Sequence, residues 1–150
     1  MKTVKLIVIA FMAISINACA QKVNVTEKVK TAFEQKFPNA QKIKWSKENE
    51  TEWEAEFRFK GEEYSANFTS DGVWKETEHE IETSAIPVNV KQTLDAEFAG
   101  YKIEEAEISE TAEGSVYEFA IEKKEQKMEV AISPDGMVKK KEVKKEEDED

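Results

Sequence analysis

An order of apolar, charged and turn residues that runs from Thr51 to Glu80 comes round again between Ser115 and Lys145, and this recurrence limits the chain to a duplicated antiparallel meander. In the first copy Trp53, Ala55, Phe57 and Phe59 alternate with Glu52, Glu54, Glu56 and Arg58, the period-two pattern of a strand with one dry and one wet face. In constant register Trp53 matches Tyr117, Ala55 matches Phe119, Phe57 matches Ile121, and Tyr64, Ala66 and Phe68 match Met128, Val130 and Ile132. Asp71-Gly72 likewise matches Asp135-Gly136.

Each copy is preceded by helical spacing. Val25, Val29, Ala32, Phe33 and Phe37 form one apolar stripe, ended by Pro38 and Asn39, because proline cannot continue a helix and disfavours the α region before it. Ile86, Val90, Leu94 and Phe98 repeat the stripe, with Pro87 suited to a first turn and Gly100 as the stop. The predicted fold is therefore α+β: two tandem repeats, 23–82 and 84–145, each a helix followed by an antiparallel meander, with the helices on one face of the sheet.

Within the first repeat, Ile43 and Trp45 mark the inward side of a first strand, Lys47 to Glu50 a turn, Thr51 to Lys60 a second strand and Gly61-Glu62 the next turn. Tyr64, Ala66 and Phe68 face inward on the third strand, and Val73 to Ile81 is the fourth. Ser133-Pro134-Asp135-Gly136 reads as a type I turn with a left-handed glycine, a three-residue loop closed by a bulge. That geometry pairs Ile132 with Val138 and leaves Met137 outside; by the same rule Phe68 faces Trp74 and Val73 is exposed. Ile103 and the Ala106/Ile108 pair fall on opposite parities, which predicts a bulge or a late strand start there.

Lys2 and Lys5 followed by the apolar run Leu6 to Ile16 read as an export signal, too short to span a bilayer. Two exits fit. Ile16-Asn17-Ala18-Cys19 resembles a lipobox, with signal 1–18 and Cys19 lipidated; Ala18-Cys19-Ala20 fits ordinary cleavage after residue 20. Either places the mature protein in the periplasm or on the outer membrane, touching membrane only through the anchor. Residues 146–150 are all charged and read as a disordered tail. The formal charge of −10 becomes more negative once Lys2 and Lys5 leave, a balance that repels phosphate backbones and anionic lipid and disfavours nucleic acid. The partner such a surface favours electrostatically is a basic protein or peptide.

The catalytic inventory is thin. His79 is the single histidine, Cys19 the single cysteine, and the five glycines stand at turns rather than in a phosphate-cradling motif. These residues predict no enzyme, no cofactor and no metal. The aromatic residues Trp45, Trp53, Phe57, Phe59, Tyr64, Phe68 and Trp74 share the inward parity and belong to the core. What remains is the wet face: Glu52, Glu54, Glu56 and Arg58 on one repeat, Glu118, Glu122 and Glu129 on the other, with Val73 and Met137 at exposed hairpin tips. It can be a solvated sheet surface, a weak calcium surface lacking the usual turn-glycine loop, or a docking face.

Two helix-plus-meander units with helix ends Phe37-Pro38 and Phe98-Ala99-Gly100, each closing on an Asp-Gly hairpin, resemble the PepSY-like, β-lactamase-inhibitor-like periplasmic proteins of Bacteroidetes. Ala32-Phe33-Glu34-Gln35-Lys36-Phe37-Pro38 carries most of the resemblance, which runs from Val23 to about Lys145. It implies helices on one face of an antiparallel sheet and an inhibitory or binding role. The chain departs from the β-lactamase inhibitory protein in having no cysteine pair to staple either repeat, so no inhibitor contact residue carries over.

Overall fold

The computed structural model describes residues 24–144; the export signal, Cys19 and the charged tail 146–150 lie outside them. In chain order the elements are α1 (Glu27–Lys36), β1 (Gln41–Lys47), β2 (Glu52–Phe59), β3 (Glu62–Thr69) and β4 (Trp74–Glu80), then α2 (Val88–Glu97), β5 (Lys102–Thr111), β6 (Gly114–Lys123), β7 (Gln126–Ile132) and β8 (Val138–Val143). The strands make one 8-stranded antiparallel sheet in the order β1 to β8. Pairing carries a single face from Tyr64 through His79 and Ile108 to Tyr117, so both helices pack on the same side.

Local chemistry sets the helix ends. Thr26 is extended and its hydroxyl accepts from the Val29 N–H at 3.4 Å, capping α1, while Asn39 turns left-handed (φ 70°) beyond Pro38. α2 begins directly after Pro87, which has no N–H to leave orphaned, and Gly100 (φ 83°) follows its end.

The hairpin registers agree with the expected ones. Thr69 and Ser133 each donate a backbone N–H to Val73 and Met137, at 2.9 Å in both cases. Phe68 pairs with Trp74 and Ile132 with Val138, leaving Val73 58% and Met137 53% exposed. The register shift expected early in β5 lies between Ile103 and Glu105. Two local expectations are corrected. The β2–β3 turn is Lys60-Gly61, not Gly61-Glu62: both residues have positive φ (54° and 97°), as a two-residue turn matched to strand twist requires. Ile43 is 41% exposed rather than inward, because β1 breaks register between Gln41 and Lys44 with Lys42 at φ 54°.

The core is in two parts. Val29, Phe33 and Phe37 of α1 cover Trp53, Ala55, Phe57, Ala66 and Phe68, with the Phe33 and Phe57 rings edge-on at 4.8 Å. Val90, Leu94 and Phe98 of α2 cover Ala106, Phe119, Ile121, Met128, Val130 and Ile132. The aromatic residues assigned to the core all belong to the first part, Trp45, Phe59, Tyr64 and Trp74 at its margin. Between the two parts, on the helix side, run Thr77 and His79 of β4. The hairpin tips dock on the helices: a Cβ at Gly72 would stand 2.8 Å from the Lys28 carbonyl oxygen, and one at Gly136 3.0 Å from that of Asn89.

Candidate binding face

Directly paired residues of an antiparallel sheet project to the same side. Away from the helices, this rule aligns Glu54, Asn67 and Glu76 in one row and Glu56, Ser65, Glu78 and Ser109 in the next. Glu80, Glu107 and Glu118 form a third row that ends on Ala131 and Lys140. Glu52, Glu54, Glu56 and Arg58 thus share a face with Glu118, Glu122 and Glu129, as their spacing suggested. Val73 and Met137 stand at hairpin tips, outside these rows.

Of the readings open for this face, uniform solvation does not hold at its centre, although Glu56 and Arg58 are exposed. Its centre is buried although no element among the described residues covers it: Asn67 is 3% exposed, Ser109 1%, Glu78 7% and Glu76 8%. At Lys75 and Lys139 two residues oppose one on the neighbouring strand, bulges of the kind that bend a strand and increase its twist. An open hollow of about 970 Å³ lies at the strand ends, lined on this side by Lys44, Glu56, Arg58, Ser65, Glu78 and Glu107.

Burial changes the chemistry of these carboxylates. Loss of water pushes the Glu78 carboxyl up to about 8, with Glu76, Glu118, Glu107 and Glu54 adding repulsion. Glu118 rises to about 7, first by burial, then through Glu76 and Glu107, with Lys140 opposing. Glu76, Glu54 and Glu107 are also raised, chiefly by burial. The Ser109 hydroxyl donates to Glu76 and the Ser46 hydroxyl to Glu54 at 3.1 Å, each stabilising the anion in part. At the rim the charges are paired and wet: Lys44 lies 3.7 Å from Glu56, Lys144 2.6 Å from Glu129, and Asn49 donates to Glu52 at 2.8 Å. No group of three or more acidic, histidine or cysteine side chains among the described residues is placed to hold a metal ion. His79 lies on the helix side, stacked on Tyr64 at 4.6 Å between ring centres, with Nδ1 buried and without a partner.

Sequence reasoning missed the most buried carboxylates, Glu76 and Glu78. They share the parity of Trp74, and regular alternation would have put all three inward. The bulge at Lys75 separates them: Trp74 pairs with Phe68 inside, Glu76 with Asn67 outside. The signal was present as a conflict, since a strand holding Trp74, Glu76 and Glu78 on one core face is untenable without an extra residue.

The family described as "Putative beta-lactamase-inhibitor-like, PepSY-like" matches residues 51–140, more than half of the chain. The chain belongs to this family. Similar solved structures include a BLIP-like protein from Bacteroides fragilis, 18% identical with a TM-score of 0.75 over 85% of this chain and 92% of that one. A DUF2874 family protein from Bacteroides uniformis is 17% identical, TM-score 0.73, over 79% and 88%. A candidate periplasmic protein from Bacteroides eggerthii is 20% identical, TM-score 0.74, over 81% and 90%. At these identities the likeness establishes the PepSY-like fold alone. No curated protein matches the chain. No helix among the described residues is long and apolar enough to cross a membrane.

Proposed function

We propose that this PepSY-like chain is a non-enzymatic exported binding module that engages a protein or peptide through the helix-free sheet face, in the manner of a peptidase or hydrolase inhibitor. The observation that carries this reading is the helix-free face whose middle rows bury Asn67, Glu76 and Glu78, with an open hollow beside it at the strand ends. A protein with no dedicated partner has no use for buried carboxylates on an otherwise uncovered surface, since each costs desolvation that a solvated surface would not. The acidic rows favour a basic partner. Membership of an inhibitor-like family supports the same role, and the likeness to a candidate periplasmic protein supports the location that the export signal suggests.

Reversing Glu54 and Glu118 to lysine should abolish capture of the partner from an envelope extract at low salt, where acidic docking is strongest. Reversing the exposed helix residues Glu34 and Glu97 should leave capture unchanged. Equal capture by both variants would exclude the face. For the anchor, the mass of the native N-terminus decides: acylated Cys19, or a chain that starts at Gln21.

A further inference from the structure

We infer that the row formed by Glu54, Asn67 and Glu76, with Glu78 diagonal to it, is a receptor for one guanidinium group, an arginine side chain of the partner. The inference rests on the reading of this face as a docking surface and specifies what docks there.

Three observations lead to it. Asn67 is 3% exposed, and its side-chain oxygen is buried with no hydrogen-bond donor among the described residues. A buried acceptor left without a donor costs about 1–3 kcal/mol, so such groups in folded proteins are normally satisfied. The local donors are spent elsewhere: Ser109 on Glu76, Ser65 on Glu78 at 3.5 Å, Ser46 on Glu54. The row and its diagonal neighbour therefore hold three carboxyl groups, Glu54, Glu76 and Glu78, and no cation, and no donor among the described residues reaches the Asn67 oxygen.

The cations around it do not make up the deficit. Lys44 lies against Glu56, Lys140 acts on Glu118, and Lys75, on the bulge, is exposed and only moderates Glu76. The group that fits carries a positive charge and several donors in one plane. Neighbouring strands stand ~4.8 Å apart, so one planar fork can bridge the Asn67 oxygen and a flanking carboxylate. A guanidinium offers five N–H donors in that fixed fork and is weakly hydrated, whereas an ammonium is a compact, strongly hydrated point charge. The site therefore selects arginine over lysine. Entry requires side chains around Asn67 to move aside, and ion pairing then favours the charged carboxylates, with proton release from Glu78, which burial raises to about 8.

The test uses the full mature chain and two capped peptides of equal charge, hexaarginine and hexalysine, by titration calorimetry in buffers of different ionisation heat. The arginine peptide should bind at least about tenfold tighter at physiological salt and release protons, and the 13C resonance of the Asn67 side-chain carbonyl should shift on binding. Asn67→Leu keeps the volume and removes the acceptor. It should fold with an unchanged or higher unfolding midpoint and bind both peptides equally, at the lysine level. Equal binding of the two peptides by the wild-type chain, or a preference that survives in Asn67→Leu, would overturn the guanidinium site. If equal binding is nevertheless lost in Glu76→Gln/Glu78→Gln, the face still docks cations and only the arginine site falls. Binding that ignores that double variant, or no binding at low salt, removes both readings.

Discussion

Glu78 is nearly buried on a face that no helix covers, and its ionisation is linked to folding. An ordinary glutamate loses its proton near 4.5, whereas in the folded chain burial raises Glu78 to about 8. Below about pH 4.5 both states hold the proton and the group is neutral to stability. As pH rises from there to about 8 the unfolded chain gives up a proton that the folded chain keeps, so stability falls across that window. Glu78→Gln should therefore unfold at nearly the wild-type denaturant midpoint at pH 4.5 and be more stable by about 4 kcal/mol at pH 8. A difference that stays flat with pH would show that Glu78 is well solvated. The residues framing this site were partly legible. Glu54, Glu56 and Glu118 alternate with apolar neighbours and could be assigned to the outer face from spacing alone. Glu76 and Glu78 could not be placed by spacing, because they share the parity of Trp74 and only the bulge at Lys75 turns them outward; Asn67 has outer parity, which says nothing of its burial.

Elements show where pattern reading holds. The Ser-Pro-Asp-Gly and Thr-Ser-Asp-Gly hairpins fix their own register through a left-handed glycine, so Phe68, Trp74, Ile132 and Val138 were placed correctly from short sequences. The glycines have a second role, since their hairpins press on α1 and α2. Gly72→Ala would force a side chain to φ 82° and set its Cβ 2.8 Å from the Lys28 carbonyl. It should cost about 2–3 kcal/mol in chemical denaturation; a loss under about 0.5 kcal/mol would mean that the tip lifts from the helix freely. Bulges are less legible, as β1 illustrates: Ile43 follows the alternation of Trp45 yet lies outside because Lys42 kinks the strand. The bulge at Lys75 has the larger consequence. Lys75→Ala keeps the residue count and should change stability by less than about 0.5 kcal/mol. Deleting Lys75 removes the extra residue and leaves Trp74 opposite Phe68 and Glu76 opposite Asn67 in a regular ladder, so Glu76 and Glu78 should stay outward and the first half should still unfold cooperatively. Loss of cooperative unfolding in the deletion variant would show that the bend made by the bulge, and not only the register it leaves, holds β4 in place.

Across the whole molecule the sheet is continuous but the apolar core is not. Phe33 and Phe68 sit in one cluster, Leu94 and Phe119 in the other, and the joint between them is the β4–β5 ladder from Glu76 opposite Thr111 to Glu80 opposite Glu107. The sequence pattern made the two helices and the antiparallel strands that follow each of them legible. It could not show that four of the five carboxylates with raised protonation, Glu76, Glu78, Glu107 and Glu118, concentrate at or beside this joint, with Glu54 apart on β2. Backbone pairing is then the main attraction across the joint and like-charge repulsion the main opponent, in a window set by Glu118 near 7 and Glu78 near 8. At pH 5.5 both are protonated, and calorimetry should record one transition in which Phe33→Ala, costing about 3–5 kcal/mol, lowers hydrogen-exchange protection in both halves. Above pH 8.5 both are charged and the halves should separate into two transitions, with Phe33→Ala shifting only the one that contains α1 and Leu94→Ala only the other. The double variant Glu78→Gln/Glu118→Gln should restore the single transition at high pH. If the wild-type chain unfolds in one step at every pH, the ladder alone couples the halves. The protonation of this face would then govern how much stability the molecule has, but not whether its two cores melt together.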